Sequence, residues 1–231
     1  MSPPIPLPTG KYPYRTFGFG YDALNDTYKV VFYGKNHSDE GMHVYRMGES
    51  SWRSMQSFPD LARESLWQVR RRDQNGVYLN GTLNWIFPLN TEIVEMVIVS
   101  IDLATEELSQ MSLPFFDHCT ELILGTLKDS LCVLHNNHHT RFVIWQMKEF
   151  GTHQSWTKLF NFDFKENRNN MRASFEPVGF VLSGNHEILL TSNYRHVLYN
   201  KRDNTFRFTS DGVDKCHESV QNYVESLVSP R

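Results

Sequence analysis

Apolar residues along this chain fall in short runs rich in Val, Ile, Leu, Phe, Tyr and Trp, and Gly, Asn, Asp and Ser separate the runs. No long run keeps helical spacing, so the pattern predicts many short β-strands. They come in four groups of four. The first covers 16–22, 28–34, 42–47 and 51–55; the second 76–81, 82–87, 97–103 and 108–113. The third covers 122–127, 130–136, 142–148 and 156–162, and the fourth 177–184, 187–193, 196–200 and 205–210. The fourth-strand residues Trp52, Leu108, Trp156 and Phe206 recur at separations of 56, 48 and 50. A period near ~50 with four strands per unit predicts an all-β fold, a kelch-like β-propeller or an incomplete propeller of about four units. A four-stranded unit cannot bury both faces alone, so such units stack as blades. A sandwich or open barrel is the competing architecture.

The turns carry their own signals. Asn80 and Gly81 both tolerate positive φ and predict a tight hairpin. Asp102 and Asn200 stand at the turns between third and fourth strands, and Asp22 at the turn between the first and second strands of its group. Each side chain can bond its own downstream backbone, a structural role. Gly18 and Gly20 lie in a strand with no helix following, which reads as blade packing rather than as a phosphate loop.

The 231 residues are 40% hydrophobic and 13% aromatic, enough to bury a core. A net charge of -3 argues against nucleic-acid or membrane-surface binding driven by charge. Cys119, Cys132 and Cys216 are widely spaced, form no CxxC pair and read as free thiols of a reducing compartment. The N-terminal MSPPIPLPTGKYPY holds no apolar signal core, and no apolar run reaches the ~18 residues of a membrane span. An intracellular protein of cytoplasm or nucleus is expected.

Five segments then suggest a relationship. FGFGYDALNDTYKVV (17–31), GVYLNGTLNW (76–85), VIVSIDLATEEL (97–108), VIWQMKEFGTHQSWTKLFNF (143–162) and NYVESLVSP (222–230) occur in this order. Together they resemble the plant F-box-associated domain, the kelch-related region that follows an F-box. The resemblance implies one such domain over 1–231, with 1–13 a Pro-rich lead-in. It implies a non-enzymatic protein-recognition module like the substrate-binding region of an SCF-type ubiquitin ligase receptor. The F-box that such proteins carry upstream, and the first stretch of the associated domain, have no counterpart in the sequence. A Skp-type adaptor is therefore expected as a partner only if an F-box is present elsewhere, and the target protein is unknown. If the absent stretch supplies a blade, the propeller is an incomplete arc with unpaired strand edges. A glycan- or small-ligand-binding propeller, and a truncated decoy or non-functional fragment, are the alternatives.

Candidate chemistry is sparse. His135, His138 and His139 lie close in sequence, but neighbours in a strand point to opposite faces, and no carboxylate or thiol completes a zinc set. The adjacent His118 and Cys119 do not make a dyad, and no nucleophile elbow is present. No catalytic residue, metal site or cofactor is expected. The acidic pairs Glu106, Glu107 and Asp39, Glu40 read as solvated turn residues. The one basic cluster, Arg70 to Arg72, suits an acidic or phosphorylated partner or a solvated connection.

In a propeller the loops alternate between two ends of the blades. Short connections (80–81, 104–107, 128–130, 201–204) share one end, while the longer 35–40, 59–75, 136–141 and 165–176 share the other. Function tends to sit in irregular loops on a rigid scaffold, so the second end is expected to bind the partner. Aromatic residues and Arg dominate binding hot spots, which singles out Trp67, Arg71, Phe116, His139, Arg141, Tyr194 and Arg195.

Overall fold

A computed structural model describes residues 14–35, 40–55, 75–88, 96–114, 121–137, 141–163, 177–182, 186–192 and 196–208. They form sixteen strands: β1 (Tyr14–Asp22), β2 (Thr27–Lys35), β3 (Glu40–Arg46), β4 (Arg53–Ser54), β5 (Val77–Leu79), β6 (Thr82–Pro88), β7 (Met96–Asp102) and β8 (Leu108–Ser112). β9 (Glu121–Leu127), β10 (Ser130–Asn137), β11 (Arg141–Met147), β12 (Trp156–Asp163), β13 (Pro177–Leu182), β14 (Glu187–Ser192), β15 (His196–Asn200) and β16 (Thr205–Phe208) complete the set. They make four antiparallel four-stranded sheets, each a meander of consecutive strands. Every predicted group is one sheet. Trp52 alone among the period markers falls outside a strand, one residue before β4. Among the described residues no helix is long and apolar enough to cross a membrane.

The chain separates into two compact units, one carrying β1–β8 and the other β9–β16. In the first, Val31, Tyr33, Met42 and Val44 of one sheet pack with Leu83, Trp85, Phe87, Val97, Val99 and Ile101 of the next. In the second, Cys132, Leu134, Phe142, Ile144, Phe160 and Phe162 pack with Phe180, Ile188, Leu190, Val197 and Tyr199. Side chains at period two along each strand supply these faces, as the pleat requires.

The same close approach recurs inside each unit, between its two sheets. Gly20 on β1 pairs with Lys29 and Gly125 on β9 pairs with Cys132, each the third residue of the following strand. A Cβ at Gly20 would lie 2.5 Å from the Tyr78 ring, and one at Gly125 2.8 Å from the Phe180 ring. Tyr78 and Phe180 both stand on the first strand of the neighbouring sheet. One turn of the pleat away, Gly18 leaves room for Trp85, whose indole N–H donates to Thr16 Oγ1 at 3.2 Å. Gly18 and Gly20 therefore act in blade packing, as the sequence suggests.

The turns follow their local chemistry. Asp22 Oδ1 accepts the backbone N–H groups of Leu24 and Asn25, Asp102 Oδ1 those of Ala104 and Thr105, and Asn200 Oδ1 those of Arg202 and Asp203. Asn80 (φ 44°) and Gly81 (φ 84°) make the tight hairpin between β5 and β6.

Glu106 departs from its expected solvated role. It stands at φ 61° in the β7–β8 turn and accepts from Lys29 Nζ at 2.8 Å and from both terminal nitrogens of Arg53 at 2.7 and 3.1 Å. Lys29 also reaches Asp22 Oδ2 at 3.1 Å and donates to the Leu103 carbonyl. Lys29 is 3% exposed and Asp22 fully buried, and Lys29 joins the first sheet to the half-buried Glu106 of the second. Burial raises the Asp22 pKa, but hydrogen bonds from Asn25 and Lys29 outweigh it and hold the carboxyl below its ordinary value. Glu106 is likewise raised by burial and lowered on balance by Arg53 and Lys29.

Three outcomes test this packing. Gly20→Ala and Gly125→Ala should each destabilise by about 1–3 kcal/mol in chemical denaturation, the range for overpacking. Lys29→Met leaves the buried Asp22 carboxylate without its cation and should cost about 3–5 kcal/mol, whereas Arg53→Ala, whose side chain is 49% exposed, should cost no more than about 1 kcal/mol. Asp22 and Glu106 have folded pKa values below their unfolded ones, so the unfolded chain binds more protons in acid. Their contribution is complete above the ordinary carboxylate values near ~4 and is lost as pH falls through the lower folded values. Glu106→Gln should therefore flatten the fall of Tm between about pH 5 and pH 3; an unchanged slope would remove Glu106 from the network.

Candidate partner-binding surface

Of the seven residues expected to contact a partner, the structure describes Arg141 alone. Trp67, Arg71, Phe116, His139, Tyr194 and Arg195 lie outside the described residues, as do Arg70, Arg72, His118, Cys119, His138, Cys216 and Asp39. Arg141 opens β11 with an exposed side chain. Its Nε donates to Asn161 Oδ1 at 3.3 Å and stands 4.0 Å from Asp163 Oδ1, both on the paired strand β12. This is a loosely held guanidinium at the β10–β11 end of its sheet, with donors left over for a partner.

His135 and Cys132 are part of the core. His135 sits on β10 opposite Leu122 and Val143, and burial pushes its imidazole pKa down. The Cys132 thiol is buried and free, and burial pushes it up to about 12, out of the range of a reactive thiolate. Among the described residues no three His, Cys, Asp or Glu side chains converge on a common point.

A different surface lies on the first sheet, at its β1–β2 turn. Because Gly18 and Gly20 face the second sheet, strand alternation sends Phe17, Phe19 and Tyr21 to the other side. Their ladder partners there are Phe32, Val30 and Tyr28. Toward β3 this face closes over: Phe32 and Tyr45 are buried, and Trp52 lies 5.5 Å from Tyr45 and 6.1 Å from Phe32 between ring centroids. Toward the β1–β2 turn it is open. Phe19 is 57% and Tyr28 47% exposed, and their rings stack at 5.2 Å with planes 4° apart. Tyr21 leans against Tyr28 at 5.1 Å, tilted by 53°. Leu24 and Met47 are exposed beside them, the latter tied by its N–H to the Tyr28 carbonyl at 2.9 Å. Tyr78 borders the group across β1, its hydroxyl donating to the Tyr21 carbonyl at 3.0 Å.

The turn supplies one charge to this patch. Asp26, at φ 47°, accepts the Tyr21 hydroxyl at 2.5 Å, a bond that raises the Tyr21 pKa. Sequence reasoning missed these residues because it searched loops, and aromatic residues in a strand read as core. The signal was present nonetheless: small residues at 18 and 20 alternate with rings at 17, 19 and 21, so one face packs tightly and the other carries the large side chains.

Residues 6–230 match the F-box associated beta propeller domain family. The chain is 29% identical over 224 residues to the F-box/kelch-repeat protein At3g23880 of Arabidopsis thaliana, covering 93% of this chain and 56% of that protein. It is 28% identical over 176 residues to the F-box protein CPR1 of the same plant, covering 68% of this chain and 43% of that protein. It thus spans about half the length of the curated relatives it matches. With four consecutive four-stranded sheets as its blades, the chain belongs to the F-box associated β-propeller family.

Proposed function

We propose that this chain is a protein-recognition module, the region of an SCF-type ubiquitin ligase receptor that binds the protein to be ubiquitinated. The family match over residues 6–230 carries the reading, since domains of this family are generally interaction modules rather than enzymes. The matched relatives bear F-box names, which supports an adaptor of the Skp type as the partner of the whole receptor. The adaptor contact belongs to an F-box and the target contact to the propeller. Ubiquitin transfer belongs to other subunits, and the work takes place in the cytoplasm or nucleus.

Arg141 and the other six residues expected to contact a partner remain the proposed target contacts. A surface of this kind gains most of its affinity from a few aromatic and Arg anchors. Pull-down from plant extract, with the chain alone and with an F-box fused in front, tests the division of labour. The same targets should come down with both, and the adaptor only with the fusion. Alanine at Trp67, Arg71, Phe116, His139, Arg141, Tyr194 and Arg195 should lower target recovery at least about tenfold in combination, the loss of one hot-spot residue or more. Unchanged recovery would move the target site away from these loops.

A further inference from the structure

We infer that the open patch formed by Phe19, Tyr21, Tyr28 and Asp26 binds a cationic side chain, Arg or Lys, of an extended peptide segment. The inference rests on the reading of the chain as a protein-recognition module and assigns it a contact surface at the β1–β2 turn.

Three observations support it. Phe19 and Tyr28, on the paired strands β1 and β2, are 57% and 47% exposed and stack at 5.2 Å, and Tyr21 closes the corner at 5.1 Å. The face of an aromatic ring carries the negative end of its quadrupole and attracts a cation, Arg most often. Next, the Asp26 carboxylate is held at the corner by the Tyr21 hydroxyl and forms no ion pair among the described residues. The only lysine in the hairpin with a described side chain, Lys29, points to the other face and is engaged by Asp22 and Glu106. The patch thus combines negative ring faces with an uncompensated carboxylate, on a chain of net charge -3.

That charge pattern selects the occupant. A second copy of the chain would set the same acidic, aromatic surface against itself. A purely apolar segment would leave the Asp26 carboxylate facing it without a counter-charge. An Arg side chain can lay its guanidinium on a ring and direct an N–H to the carboxylate, and its alkyl stem matches Leu24 and Met47 beside the rings.

The test uses the full chain and two labelled peptides, Ser-Arg-Ser-Arg-Ser-Arg-Ser and its counterpart with citrulline, the neutral isostere, in place of each Arg. Fluorescence anisotropy at low salt should show the Arg peptide binding roughly tenfold tighter than the citrulline peptide. Phe19→Ala and Tyr28→Ala should each erase most of that difference. Asp26→Asn should reduce it by roughly threefold or more; Asn tolerates the positive φ and keeps an acceptor for Tyr21. Phe19 and Asp26 are exposed, so the fold survives their loss, and an unchanged Tm confirms it.

Equal affinity for the two peptides overturns the inference, as does an Arg preference that all three variants leave intact, since that is attraction to the acidic chain at large. Capture of neutral oligosaccharides, lost in Phe19→Ala and Tyr28→Ala, assigns the rings to sugar stacking instead. Concentration-dependent self-association abolished by the same substitutions assigns them to a second copy. If the peptides fail while targets from plant extract are still recovered by the Phe19→Ala and Tyr28→Ala variants, this inference falls and the recognition function stands.

Discussion

The close approach of a ring to a strand that has no side chain in the way governs much of this molecule. Gly20 under Tyr78 and Gly125 under Phe180 occupy the same register position in two sheets, and in each case the ring comes from the first strand of the neighbouring sheet. A methyl group at either place would collide with the ring, so sheet spacing is set by an absent Cβ. The consequences run along β1 in both directions. Bare positions at 18 and 20 put every large side chain of that stretch on the opposite face, because the pleat alternates. The tight interface and the exposed aromatic corner are therefore two results of one sequence pattern.

The buried charges of the first unit belong to the same constraint. Lys29 pairs with Gly20 across the ladder, and its long side chain leaves β2 to reach Asp22, Glu106 and the Leu103 carbonyl. Taking Lys29 and Asp22 out of water, and Glu106 partly so, carries a large desolvation penalty, which fixed partners and further hydrogen bonds have to offset. Here Asn25 and two backbone N–H groups complete Asp22, and Arg53 completes Glu106. The third position of the second strand is buried in two other sheets as well, and there it is Asn84 and Cys132. The blades share a backbone plan and fill one equivalent site with a cation, an amide and a thiol.

Features set within a few residues were legible in the sequence. The sixteen strands, the Asn80 and Gly81 hairpin and the bonds of Asp22, Asp102 and Asn200 to their own downstream backbone each need only local chemistry. Glu106 was misread because its partners, Lys29 and Arg53, are 77 and 53 residues away. Turn position predicted solvent, and tertiary charge pairing overrode it. Phe19 and Tyr28 were overlooked for a related reason. Alternation says that two faces differ, but which face is covered depends on the neighbouring sheet.

A binding surface built on a strand ladder differs physically from one built on loops. Phe19, Tyr21 and Tyr28 have few rotatable bonds, lean on one another, and stand on backbone already fixed by β1–β2 pairing. Ordering them for a partner costs little conformational entropy, so a larger share of each contact survives as affinity. Loop residues adapt to more shapes but must be immobilised on binding. A receptor that combines both can hold a recurring element, such as a cationic side chain, at the rigid corner and leave discrimination among targets to the variable end.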